Sequence, residues 1–328
     1  MKRKFFISIV LMVTLIASMS IQVSFASDDP GQQTGQQTED NSSTDPAVGN
    51  NSDTGAAPAT FDTIIPKITV STKEDYTRIK WRKINDAKYY YVYRASSRKG
   101  KYKRLKKVKV CHFNDKKANS GKVYYYKMRA RRRDGTFTKY SEPKKFRTVS
   151  RVYVACGHGR NIWMRWDYGC SYKGMHEAKL MLPIVKDMVK FLRSAGVYVY
   201  TDADVDNKMN MNMTVGIANR KRISAYVSVH CDWYRAPSGT LPLYMSSAGK
   251  KLAIALNEGV HNRVYIKHRS YSYRPELYEL RVTKVPACIF ETGSIKRDYK
   301  IFKKKHKKYG KGLAEGLCNY LDVDVPTP

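Results

Sequence analysis

Four short apolar runs in the second half of the chain, Val152–Cys156, Val197–Tyr200, Ala225–Val229 and Ala287–Phe290, constrain its fold more than any other feature. Stretches with helical spacing lie between and after them, near Ala178–Ser194, Val215–Ile223, Gly249–Asn262 and Tyr299–Leu321. Buried strands alternating with amphipathic helices predict an α/β domain over residues 151–322, an open, twisted, mostly parallel sheet with helices on both faces. In such sheets reactive groups gather at the carboxyl ends of the strands.

Those ends carry chemistry. The first run enters Gly157-His158-Gly159, the third enters His230-Cys231-Asp232, and the fourth enters Glu291-Thr292-Gly293. Topology alone therefore brings two imidazoles and a carboxylate together. A second carboxylate, Glu177, opens the first helix, where it can turn toward His158. Two histidines and one carboxylate form a three-ligand zinc set that leaves a position open for water, which is the catalytic arrangement and not the structural one. A carboxylate held off the metal can then take the proton of that water and return it to a leaving amine. Cys156 and Cys231 flank the two histidines and are thiolate candidates, although a strand residue next to a histidine points its side chain to the opposite face. His176, His261, His268 and His306 suit solvated roles, and Arg269, Arg274 and Arg281 are candidates to hold a substrate carboxylate.

The rest of the chain says where this chemistry works. Lys2, Arg3 and Lys4 precede an apolar run from Phe5 to Ala17, and Ser24-Phe25-Ala26 supplies small residues at a cleavage site, so residues 1–26 read as an export signal. That run is shorter than the ~20 residues a membrane span needs, so no transmembrane segment is expected. Residues 27–62 are polar, with almost no bulky apolar side chain, and read as a disordered linker. From residue 63 to 148 short alternating runs such as Thr77–Trp81, Tyr89–Arg94 and Lys122–Ala130 are separated by turn residues, which predicts an antiparallel β-sandwich. The formal net charge is +33, and residues 67–147 hold 28 Lys and Arg against six Asp and Glu. A chain this basic seeks a polyanion. Outside the membrane that excludes nucleic acid and leaves anionic wall polymers, acidic glycans and lipid headgroups. The six cysteines are widely spaced and predict no disulfide framework. A monomer is expected.

Residues 151–322 resemble the zinc-dependent N-acetylmuramoyl-L-alanine amidases with a type 3 amidase domain. The resemblance lies in Gly157-His158-Gly159, Glu177, Ala218-Asn219-Arg220, Ser228-Val229-His230-Cys231-Asp232 and Pro286-Ala287-Cys288-Ile289-Phe290-Glu291-Thr292-Gly293. It implies His158, Glu177 and His230 as ligands of Zn2+ and Glu291 as the catalytic carboxylate. It also implies a secreted cell-wall enzyme that cuts the amide between N-acetylmuramic acid and L-alanine of peptidoglycan. Ala155, Asp232 and Ser294 stand where the family usually has Asp, Asn and an aromatic residue. Residues 63–148 resemble a fibronectin type III domain, with Trp81 in its second strand and Tyr124–Ala130 matching a Y-x-Y-x-V-x-A strand. Two rival readings remain, a non-catalytic wall-binding protein and a zinc carboxypeptidase. Against the second, His158 and Glu177 are 19 positions apart, whereas such carboxypeptidases carry a close H-x-x-E.

Overall fold

The computed structural model describes residues 60–325. The export signal and nearly all of the linker lie outside the described residues.

The alternating segment forms seven antiparallel strands in two sheets. One holds β1 (Ile68–Lys73), β2 (Tyr76–Trp81) and β5 (His112–Asp115) in the order β1-β2-β5. The other holds β3 (Tyr89–Ala95), β4 (Lys103–Val108), β6 (Val123–Arg131) and β7 (Lys144–Arg147) in the order β4-β3-β6-β7. Period two sorts the side chains of β6: Tyr126, Met128 and Ala130 are fully buried, while Tyr125, Lys127, Arg129 and Arg131 face outward. The inward set meets Ile79 and Trp81 of the facing sheet in one shared core.

The second half is built on a six-stranded sheet. It begins with β8 (Arg151–Cys156), after which the chain makes two small hairpins, β9 (Gly159–Arg160) with β10 (Trp166–Asp167), and β11 (Ser171–Tyr172) with β12 (Met175–His176). Then come α1 (Glu177–Ser194), β13 (Tyr198–Thr201), α2 (Met211–Arg220), β14 (Ala225–Asp232), β15 (Leu241–Tyr244), α3 (Ser247–His261), β16 (Ser272–Tyr273), α4 (Tyr278–Val282), β17 (Ala287–Ser294) and α5 (Tyr299–Leu321). The strand order is β13-β8-β14-β17-β15-β16. Four of the five pairings are parallel, as the sequence predicts, and only that of β15 with β17 is antiparallel, which makes the sheet mixed. Strand β15 is a short run broken by Pro242, which periodicity does not separate from a loop.

Helices cover both faces. Val227, Val229, Cys231, Cys288 and Phe290 pack toward α1, α3 and α5, and Tyr153, Tyr226 and Ile289 pack toward α2 and α4. Side-chain caps start two of the helices, Asn210 accepting from Met213 N at 3.0 Å and Ser246 from Gly249 N at 3.0 Å.

Among the described residues the two halves belong to one unit. Arg151, at the start of β8, is only 4% exposed. Its guanidinium donates to the backbone carbonyls of Asp75 and of Ala118, the latter at 2.7 Å. Tyr200 donates to the Asp75 carboxylate at 2.5 Å, and the Ser224 hydroxyl reaches that of Ser120 at 2.7 Å. Among the described residues no helix is long and apolar enough to cross a membrane.

Candidate metal centre

Strands β14 and β17 continue past the apolar runs that announce them, so His230, Cys231, Asp232 and Glu291 lie inside strands and not on the loops beyond. Their side chains are therefore held by the sheet. His158 is held differently. It sits two residues beyond β8 at φ 65°, a left-handed conformation that is uncommon outside glycine. The β9–β10 hairpin supports it from behind: Asp167 meets Nδ1 at 2.9 Å, which turns Nε2 inward.

Glu177, the first residue of α1, is the hub. Its side chain is 3% exposed, one oxygen lies 3.2 Å from His158 Nε2, and the other lies 3.0 Å from His230 Nδ1. Backbone amides complete the clamp, Cys170 N donating at 3.0 Å and Cys231 N at 3.1 Å. Burial would raise this carboxyl, but hydrogen bonds from the two histidines hold it well below the usual carboxylate range. Burial likewise opposes the charge on His158 and His230, but Glu177, aided by Asp167 at His158 and by Glu279 at His230, outweighs it, so both imidazoles stand above their ordinary value. One potential ligand atom from each of His158, Glu177 and His230 lies within 4.8 Å of the others.

Two glycines make this approach possible. A Cβ on Gly157 would meet His230 Nδ1 at 2.5 Å, and one on Gly169 would meet Glu177 Oε2 at 2.6 Å. Either methyl would displace one of these side chains.

Glu291 stands beside this cluster and not within it. The parallel register sets it opposite His230 on the neighbouring strand. Burial pushes its carboxyl up to about 7, with Glu177 and Asp232 adding to the effect and His230 and Arg269 opposing it. Its Oε2 is buried without a hydrogen-bond partner. A buried carboxyl of this kind suits proton transfer near neutral pH.

The remaining candidates separate. Arg269 binds Asp232 at 2.9 Å, so that carboxylate has an internal cationic partner. Arg274 pairs with Glu276, and Arg281 is exposed. His306 reaches Asp187 on α1 at 2.6 Å inside an otherwise exposed lysine run. His176 meets Ser171, while His261 and His268 both approach Thr240. Cys231 meets Cys170, sulfur to sulfur at 4.0 Å, and these two thiols with Glu177 form a second group of metal-capable atoms. Cys156 faces the core, and burial pushes its thiol up.

Two residues at the site escape the sequence reading. Asp167 gives no local signal, because its role depends on a hairpin only two residues wide. Glu279 lies on a five-residue helix too short to show a period, yet it is buried against His230. Both line a cavity of about 230 Å3 with His158, Asp202, Ser228 and His230.

A mixed α/β sheet at whose carboxyl edge two imidazoles meet a clamped carboxylate, with a further carboxyl beside them, defines a protein with a candidate metal-binding group. The family described as N-acetylmuramoyl-L-alanine amidase, Amidase_3, matches residues 152–321, more than half of the chain, and the chain belongs to it. Among solved structures, the chain is similar to the N-acetylmuramoyl-L-alanine amidase AmiC2 of Nostoc punctiforme, with 24% identity over 53% of this chain and 97% of that one and a TM-score of 0.48. It is also similar to the catalytic domain of the amidase CwlV from Bacillus (Paenibacillus) polymyxa var. colistinus, with 21% identity over 54% of this chain and 100% of that one and a TM-score of 0.49. An N-acetylmuramoyl-L-alanine amidase from Clostridium difficile 630 gives 23% identity over 53% of this chain and 97% of that one, with a TM-score of 0.48. No curated protein matches the chain.

Proposed function

We propose that the chain is a secreted peptidoglycan hydrolase that cuts the amide joining the lactyl group of N-acetylmuramic acid to L-alanine of the stem peptide, with zinc held by His158, Glu177 and His230. The observation that carries this reading is the convergence of these three side chains within 4.8 Å at the carboxyl edge of the sheet, with Glu291 one strand away. The donor set fits zinc, since imidazole nitrogen and carboxylate oxygen are its ordinary ligands and three of them leave a position for water. A bound zinc ion would supply Lewis-acid polarisation of the scissile carbonyl and lower the pKa of a water molecule.

The protein's own groups do the rest. Asp167 fixes the ring of His158 through Nδ1. The Cys170 and Cys231 amides hold both oxygens of Glu177, so the ligand carboxylate keeps its orientation. Glu291 takes a proton from the attacking water and gives it to the departing alanine nitrogen, and a carboxyl near 7 is suited to both transfers.

On the same reading the basic module at 63–148 is a fibronectin type III-like sandwich that holds the enzyme to anionic wall polymers. Its outward face supports this: Lys107 lies 3.7 Å from the Tyr89 ring centre, Arg129 3.9 Å from that of Phe137, and Lys127 4.0 Å from that of Tyr140. Alternating cations and rings suit a polymer that carries both phosphate and sugar.

Digestion of purified wall material tests the proposal. New L-alanine α-amines are expected. Released D-amino acids would indicate a carboxypeptidase instead, and the absence of any new terminus would indicate a wall-binding protein without activity.

A further inference from the structure

Glu279 is a buried charge with no evident structural purpose. It is 7% exposed, on the sheet-facing side of α4. An unpaired carboxylate at such a depth costs several kcal/mol, so it must have partners. They are at hand. The Tyr226 hydroxyl donates to Oε1, Oε2 lies 3.7 Å from His230 Nε2, and the Ser228 hydroxyl also serves the carboxylate. The Ser228 hydroxyl stands in the same corner, 3.0 Å from His230 Nε2.

The two nitrogens of His230 thus have separate tasks. Nδ1 faces Glu177 and the ligand cluster, and Nε2 faces Ser228 and Glu279. An imidazole that binds a metal through one nitrogen needs its proton on the other, and a carboxylate facing that nitrogen fixes tautomer and ring angle together. Asp167 does this for His158 with the roles of the nitrogens exchanged, since there Nδ1 faces the carboxylate and Nε2 faces Glu177. We propose that Glu279 is a positioning residue for the metal centre, holding His230 in the Nε2-protonated form so that Nδ1 is presented to the ion. The inference rests on the assignment of His158, Glu177 and His230 as zinc ligands. It adds a buried carboxylate, contributed by a different element, behind the second histidine, where the first has the part-exposed Asp167.

The test compares Glu279→Gln with Tyr226→Phe in the full chain, with zinc affinity measured by competition against a chelator and the melting of the zinc-free protein measured alongside. Glu279→Gln keeps an oxygen for the Tyr226 hydroxyl and removes the charge behind His230, so zinc affinity should fall about 10–100-fold. Tyr226→Phe removes another partner of Glu279 and should leave zinc affinity close to the wild type, whatever it does to melting. Unchanged affinity in Glu279→Gln would overturn the proposal, and so would equal losses in both variants that follow melting alone. If the wild type takes up no zinc, the ligand assignment fails and the inference falls with it. Should Glu279→Gln not fold, NMR of the zinc-loaded wild type with 15N-labelled histidine still decides. His230 protonated on Nε2 with the metal on Nδ1 supports the role, and the metal on Nε2 rules it out.

Discussion

The two ends of the six-stranded sheet are built from the same kind of residue and put to opposite uses, as β8 shows within a few residues. At its start Arg151 is a buried cation whose partners are backbone carbonyls of the sandwich. Two residues beyond its end His158 turns inward against a buried anion. At the amino end, buried polar groups are met mainly by backbone carbonyls and hydroxyls of the sandwich, with only Arg151 Nε left over, and join two modules. At the carboxyl end they are left facing one another, two imidazoles on one carboxylate, with Glu291 Oε2 unpartnered beside them. At one end a charge met by neutral backbone joins two modules, whereas at the other backbone amides hold one carboxylate between two imidazoles, a grouping of donor atoms that a metal ion could enter.

The sharpest way to break this comparison is to remove a ligand. His158→Ala should reduce wall hydrolysis to background, because two protein ligands hold zinc poorly, and Glu177 would keep only His230 opposite it. Hydrolysis at more than a few per cent of the wild-type rate would take His158 out of the centre. The next effect is smaller. Glu291→Gln preserves shape and removes proton acceptance, so the rate should fall roughly 10²–10⁴-fold. A full rate in this variant would remove Glu291 from the mechanism.

At the amino end, Arg151→Met should act on stability and not on chemistry. It leaves the carbonyls of Asp75 and Ala118 buried and unpaired, a loss of about 2–4 kcal/mol. Chemical denaturation would show it, and the turnover of the folded fraction on soluble muropeptides should match the wild type. A turnover defect without a stability defect would mean that the joint between the modules serves the chemistry. For the same reason, deleting residues 62–148 does not isolate anchoring, because it strips partners from Arg151 and Tyr200. The smallest expected effect tests the module more cleanly. Changing Lys127 and Arg129 to Gln should weaken sedimentation with intact walls at low salt, and raising salt should erase the difference, since exposed charges are screened within ~10 Å at 0.1 M. Unaltered sedimentation would reassign the module as a spacer.

The centre was more legible in the sequence than the sheet that carries it. His158, His230 and Glu291 follow apolar runs that can only be buried strands, and Glu177 opens a strongly periodic helix, so topology alone brings them to one edge. The edge strands escaped because β15 has four residues, one of them proline, and β16 has two. Asp167 and Glu279 escaped for a related reason. Each acts through a side chain close only in space, from an element too short to have a period. The joint at Arg151 was hidden because a lone arginine at a strand start reads as an exposed charge, and only the packed sandwich turns it inward.

Metal content across three forms of the full chain tests the central claim most directly. After removal of metal and exposure to stoichiometric zinc, the wild type and Glu291→Gln should each retain one zinc per chain and His158→Ala should retain essentially none, while only the wild type hydrolyses wall material. One tightly held zinc in His158→Ala, or none in the wild type, would contradict the assignment of the carboxyl edge as the metal centre.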